Sequence, residues 1–307
     1  MAIEMTAAAE VRRPRRRLRV AALALILALP MGYAAISLAV ADQLTRASNR
    51  PSLVDIRELD ESAEGWSTQT ADGLTLRGWY LPTPEHRRLL VLVHGMRDSW
   101  DKIALIGLDL HARGYDVLLF DLRGHGGSDP SRLFMGRNER GDLRAVQGWA
   151  GTQGFTPDRI GWLGQSMGAS ALLMEAARNP GIRAAVMDSP YGDLPELLAA
   201  QLPRHSHLPA FFNPGILLAA HWAFGVRTDD LVPIRSARAW GDRPMLLIHG
   251  EEDEIVPVDQ AIRIAHAAGP TCRAVTLPGV MHVRAYAASP AQYIAAVDEF
   301  FGESLAK

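Results

Sequence analysis

The sequence predicts an α/β fold, a mostly parallel central sheet with helices on both faces, preceded by one membrane-spanning helix. Three observations carry that expectation. Short, continuous apolar runs recur between helix-patterned segments from residue 89 onward. Continuous rather than alternating apolar strands belong to parallel sheets covered on both faces. Two alternating runs flank Asp72-Gly73 in "WSTQTADGLTLRGWYLP", which predicts an antiparallel hairpin leading into the sheet. Finally, Val20 to Ala41 carries no charge.

That uncharged run is about 22 residues, or roughly 33 Å of helix at 1.5 Å per residue, enough to cross a bilayer. Six arginines (Arg12, Arg13, Arg15, Arg16, Arg17, Arg19) precede it, against Glu4 and Glu10. The positive-inside rule keeps residues 1–19 cytoplasmic and places the bulk of the chain on the extracytoplasmic side. The length favours an uncleaved signal-anchor over residues 20–41. The alternative is a signal peptide cleaved after "AVA" at Ala39–Ala41, which would release a secreted protein. Residues 42–65 are polar and read as a membrane-proximal linker.

The remaining chain, 66–307, suits one large domain. The 307 residues are 48% hydrophobic and 21% charged, ordinary values for a protein with a real core. A net charge of −2 gives no pull toward nucleic acid. The single cysteine, Cys272, excludes an intramolecular disulfide and a cysteine-based zinc site. Apolar strands are predicted in 89–95, 115–124, 160–166, 184–190, 244–250 and 273–279. Helices are predicted near 99–113, 138–150, 167–179, 258–268 and 290–304. Between Tyr191 and Trp240 the alternation stops for about 50 residues, far beyond an ordinary connection. This stretch is expected to be a helical lid, with Tyr191, Phe211, Phe212 and Trp222 as candidates for lining an apolar substrate pocket.

The chemistry centres on "GWLGQSMGAS". Ser166 follows an apolar strand and precedes a run of good helix formers, between Gly164 and Gly168. A strand–turn–helix with small residues on both sides lifts a serine hydroxyl above the sheet edge as a nucleophile elbow. A serine needs a base, and the base needs an orienting acid. "HGEEDEIVP" places Asp253 past one later strand, and "GVMH" places His282 past the next. Ser166 is expected to attack a carbonyl, His282 to move the proton, and Asp253 to fix the imidazole. Asp188, after the strand following the elbow helix, is the positional alternative for the acid. The backbone N–H groups of Met167 and Met96 are the expected oxyanion donors. His94, His125 and His249, each before a glycine at a strand end, read as loop-structuring residues. His205 and His207 lack the companions of a metal site, so no metal is expected.

Taken in order, "HGMRDS", "DLRGHGGSD", "GQSMG", "HGEEDEIVP" and "GVMH" resemble the α/β-hydrolase superfamily over roughly residues 66–304. With its charged, apolar start and "TADGLTLRGWYLP", the chain is similar to membrane-anchored Bem46-type, or serine aminopeptidase-like, hydrolases. The resemblance implies an α/β-hydrolase fold, with Ser166, Asp253 and His282 as triad and Met96 with Met167 as oxyanion hole. It also implies a scaffold role for Asp121, Arg123, His125 and Gly126. Aspartate-nucleophile chemistry is excluded by serine at the elbow, and the HGGG loop of many lipases is absent. The expected activity is hydrolysis of carboxylic esters or thioesters through an acyl-enzyme. A peptidase or amidase with the same triad, and a catalytically idle binding module, are the alternatives. Expected partners are a small-molecule or lipid-like acyl substrate and the membrane, reached through the N-terminal helix. Without a Walker or dinucleotide fingerprint, no cofactor is expected.

Overall fold

The computed structural model describes residues 12–85 and 87–306. Part of the basic N-terminus, residues 1–11, lies outside them. The chain begins with α1 (Arg12–Thr45), then forms the hairpin strands β1 (Glu64–Gln69) and β2 (Thr75–Leu81). Next come β3 (Leu89–Val93), α2 (Ala104–His111), β4 (Asp116–Asp121), α3 (Arg140–Thr152), β5 (Ile160–Gln165), α4 (Met167–Ala176) and β6 (Ala184–Asp188). The segment 191–240 is helical, with α5 (Leu194–Ser206), α6 (Asn213–Phe224) and α7 (Pro233–Ala237). The chain closes with β7 (Met245–Gly250), α8 (Val258–Ala268), β8 (Cys272–Leu277), α9 (Ala285–Ala288) and α10 (Pro290–Ser304).

All eight strands form one sheet in the order β1-β2-β4-β3-β5-β6-β7-β8. The pairings β1–β2 and β2–β4 are antiparallel, and every later pairing is parallel. The central strands are apolar throughout because both faces are covered. In β3, Leu89, Val91 and Val93 enter one core with α3, α4 and α8. Leu90 and Leu92 enter the other with α2 and α10. This is the mostly parallel α/β sheet expected from the apolar runs, with the hairpin at its edge.

The start of the chain differs from the sequence reading in one respect. The apolar helix does not stop at Ala41 but continues to Thr45, so its last turn falls in the expected linker. The physical reason is packing. Ala41 is wholly buried in a cluster with Leu202, Ile216, Ala220 and Val226 from the lid segment. Arg132 then ties the helix end to the domain, bonding Asp42 at 2.8 Å and the Thr45 hydroxyl at 2.9 Å. Beyond it, Ser48 bridges to His125, and Asn49 donates to the Ser128 carbonyl at 2.6 Å. Residues 42–49 are therefore docked on the domain.

Candidate active site

Ser166 sits at the tip of the turn between β5 and α4 with φ 50° and ψ −116°, a conformation that L residues adopt only where the surroundings impose it. The surroundings here are two close approaches. A Cβ on Gly164 would lie 2.7 Å from the Ala169 nitrogen, and one on Gly168 would lie 2.5 Å from the His94 carbonyl oxygen. Glycine at both positions lets the helix start directly against the strand ends. The Ser166 N–H donates to the Asp188 carbonyl at 2.8 Å, which pins the turn to β6.

His282 and Asp253 reach the same edge from the loops after β8 and β7. His282 Nε2 is 2.9 Å from Ser166 Oγ, and its Nδ1 is 2.6 Å from Asp253 Oδ2. Asp253 accepts only hydrogen bonds, so Nδ1 carries the proton and Nε2 is the acceptor facing the serine. The other Asp253 oxygen accepts from the N–H groups of Ile255 at 3.0 Å and Val256 at 2.8 Å. His249 Nε2 lies 3.2 Å from Asp253 Oδ2 and 2.8 Å from the Val256 carbonyl. Both neighbours are acceptors, so this nitrogen is a donor. Burial of Asp253 opposes its ionisation. The hydrogen bonds from His249 and His282 outweigh that and hold the carboxyl down to about 2.

Asp188, the positional alternative, is not at the histidine. It is fully buried and accepts from Gln165, Ser189 and Tyr293 at 3.0, 3.0 and 3.1 Å. Its desolvation raises its pKa. Its connection to His282 is indirect. The Ser189 hydroxyl that bonds Asp188 also accepts from the Val283 N–H at 3.2 Å, holding the residue after the histidine at φ 48°.

Gly95 closes against the serine, where an added Cβ would stand 3.4 Å from Ser166 Cβ. Met96 and Met167 therefore flank Ser166, and the N–H groups of both lack an acceptor among the described residues. The loop carrying Met96 is held by His94. Its Nδ1 bonds the Gly95 carbonyl at 2.7 Å, and its Nε2 accepts from the Leu122 N–H at 3.0 Å. Burial holds His94 down to about 4 and His125 down to about 3, so both are neutral spacers. Asp121 likewise serves the scaffold, accepting from the N–H groups of Trp100 and Gly127 at 2.8 Å each. Arg123 is clamped by Asp72 and Asp142.

A cavity of about 300 Å³ rises over Ser166, its lining mostly apolar. Tyr191 lines it, with its hydroxyl donating to the Met135 carbonyl. The other three aromatic candidates do not line it. Phe211 and Phe212 stack on Tyr33 of α1, with ring centroids 6.0 and 5.0 Å away, and Trp222 points outward at 76% exposure. The lid instead contributes aliphatic residues of α5, Leu194, Leu197 and Leu198. Two further lining residues were not among the candidates. Leu44 belongs to the last turn of α1, and Arg97 follows the Met96 loop and donates to the Gln43 carbonyl at 2.6 Å. Leu44 stands in no motif, and Arg97 lies in "HGMRDS" with no role that the motif implies; the tertiary docking of α1 brings the two together. Among the described residues, no group of three or more His, Cys, Asp or Glu is placed to hold a metal ion.

This arrangement can be set against known proteins. The family model described as serine aminopeptidase, S33, matches residues 84–224. An uncharacterized protein of Mycobacterium tuberculosis is 36% identical over 220 residues, covering 70% of each chain. The chain belongs to the α/β-hydrolase superfamily. This α/β-hydrolase is also 28% identical to the Escherichia coli esterase YjfP, over 63% of its own length and 81% of that protein. In fold it is similar to the Pyrococcus furiosus esterase Pf2001, with a TM-score of 0.69 at 22% identity, covering 84% of this chain and 99% of the other.

Proposed function

We propose that this α/β-hydrolase is a serine hydrolase of carboxylic esters or thioesters, working through Ser166, His282 and Asp253 and held to a membrane by α1. The observation that carries the reading is the unbroken hydrogen-bonded chain from Ser166 Oγ through His282 to Asp253. Ser166 Oγ adds to the acyl carbon while its proton passes to His282 Nε2. The carbonyl oxygen becomes an oxyanion and accepts from the open N–H groups of Met96 and Met167. As the C–O or C–S bond breaks, His282 returns the proton to the leaving alcohol or thiol. Water repeats the sequence on the acyl-enzyme, freeing the acid and Ser166. Asp253, kept ionised, stabilises the imidazolium in both halves.

The peptidase reading draws on the name of the matching family model. The cavity weighs against it. An aminopeptidase must hold a free ammonium next to the scissile bond, and none of the described lining residues is a carboxylate. Mostly apolar lining suits an acyl chain, and the relative named an esterase points the same way. Parallel assays on short acyl esters and aminoacyl amides test the choice. Ester turnover with no amide turnover is the expected outcome, and the reverse would replace the esterase by a peptidase.

The membrane reading rests on Arg17–Thr45, long and apolar enough to cross a bilayer. The arginines before it support a cytoplasmic N-terminus and an extracytoplasmic domain. The burial of Ala41 inside a continuous helix supports retention of the anchor over cleavage. Mass spectrometry of the mature N-terminus decides between them, and a chain starting at Asp42 would contradict retention.

A further inference from the structure

The length of α1 that is exposed on all sides is shorter than a bilayer. Arg17 to Gly32 are all exposed, and from Tyr33 onward the helix turns one stripe inward, with Tyr33, Ser37, Ala41 and Leu44 at helical spacing. The apolar part exposed all round, residues 20–32, is about 13 residues or roughly 20 Å, against about 30 Å of hydrocarbon core. It cannot be lengthened toward the N-terminus, where six arginines cluster. The missing length must come from the part of α1 that packs on the lid.

The lid element packed there has the composition this requires. Ala210–Phe224 contains no Asp, Glu, Lys or Arg. Ile216 and Ala220 are buried, yet Phe211, Leu218 and Trp222 are left 60% or more exposed. A helix without charge, whose polar side chains are only Asn213 and His221 near its two ends, is expected in a protein core or in lipid, and α6 is not in the core. Its seam with α1 is also of a membrane kind, with small residues permitting close approach. A Cβ on Gly215 would stand 2.5 Å from Ser37 Oγ, and the Tyr33 hydroxyl bonds both the Gly215 N–H and the Phe211 carbonyl at 3.0 Å.

The two helices run together. The start of α6 is level with Tyr33, and its end is level with Asp42, where Arg132 bonds Asp42 and lies 3.8 Å over the Phe224 ring. Along that axis the chemistry grades from Phe211 and Leu218, through Trp222, to the Arg132–Asp42 pair. That is the order of hydrocarbon, interface and water. Leu44 stands at the watery end and is also a wall of the cavity above Ser166.

We propose that α6 lies in the outer leaflet beside α1, and that the cavity above Ser166, walled by Leu44, stands at headgroup level and takes its acyl chain from a bilayer lipid. This rests on the acyl chemistry proposed for Ser166. A volume of about 300 Å³ is at the low end of ligand sites, which fits one acyl chain. The anchor is then part of the substrate site as well as a tether.

The test uses the full chain in phosphatidylcholine vesicles. Leu218→Cys in a Cys272→Ser background is labelled with an environment-sensitive fluorophore, with Leu105→Cys, at an exposed position of α2, as comparison. Chain-brominated lipid is expected to remove about half or more of the emission at 218 and less than about a tenth at 105. Equal quenching at the two positions would overturn the embedding of α6. In the same vesicles, Leu44→Trp is expected to lower the ratio of kcat/KM for a long-chain over an acetyl ester by about tenfold. Taking the ratio within one preparation cancels partial loss of fold, and an unchanged ratio would overturn the role of Leu44. Failure of Ser166 to react with a fluorophosphonate would overturn the acyl chemistry without altering the quenching result.

Discussion

The floor and the roof of the cavity are built on different principles. The floor is made by strand ends, where Ser166, Asp253 and His282 each follow a strand of one sheet whose central strands are buried on both faces. Local contacts shape the turns that carry Ser166 and Asp253, such as Gly164 against Ala169 and the N–H groups of Ile255 and Val256 on Asp253. The roof is made by α5, with the last turn of α1 beside it and α6 behind. It is held by contacts between residues far apart in the chain, Tyr33 with Phe212 and Ala41 with Ile216. The lesson is a division of labour. The proposed chemistry sits on a rigid sheet edge, while the helices over it pack through α1.

The largest effect that tests this division belongs to the floor. Ser166→Ala is expected to lower kcat by about 10⁵–10⁶ with the melting temperature barely changed, measured by ester turnover. Asp253→Asn keeps the shape of the site but loses the charge that fixes the His282 tautomer, and about 10⁴ in kcat is the expected loss. If these two variants retained activity, the floor would not be where the chemistry lies.

Asp253 also sets a pH dependence of stability. Its carboxyl ionises at about 2 in the fold against an ordinary 3.8. A lowered folded pKa means stability that is fully present above the unfolded value and is lost as pH falls toward the folded one. Between pH 4 and pH 2 the wild type is therefore expected to lose about 2 kcal/mol from this group alone. Asp253→Asn lacks that component, so melting curves of the two proteins should converge over that window. Parallel curves would show that the carboxylate is not held by His249 and His282.

The smallest effects belong to the roof, and they sharpen the comparison by separating the two regions. Tyr33→Ala removes two ring stacks and two hydrogen bonds to the start of α6. A local loss of about 1–2 kcal/mol is expected, seen as faster proteolysis within residues 207–225. Reaction of Ser166 with a small fluorophosphonate should change little, because the floor does not lean on Tyr33. Equal losses in both measurements would mean that floor and roof form one cooperative unit.

The same division explains what could be read in the sequence. The strands were legible because burial on both faces forces continuous apolar runs, as in "LLVLV" of β3. That Ser166, Asp253 and His282 meet at one sheet edge was legible because strand–turn–helix and strand–loop patterns place each just past a strand. The scaffold role of His94 and His125 was also visible, from their position at strand ends. The supporting role of His249 beside Asp253 was not, since nothing local says which way its ring points. The roof was legible only as a helical insertion. Which aromatics face the cavity depends on α1, which lies far away in the chain. Phe211 and Phe212 turned to Tyr33, and Leu44 took a place on the cavity wall. No periodicity within 191–240 encodes that docking.

The central claim is that Ser166 is a nucleophile activated by His282. It is tested most directly by reacting the full-length protein with a fluorophosphonate and locating the adduct by mass spectrometry. The account predicts one adduct, on Ser166, that is lost in Ser166→Ala and strongly slowed in His282→Ala. A folded protein that forms no adduct, or forms it on another residue, would contradict it.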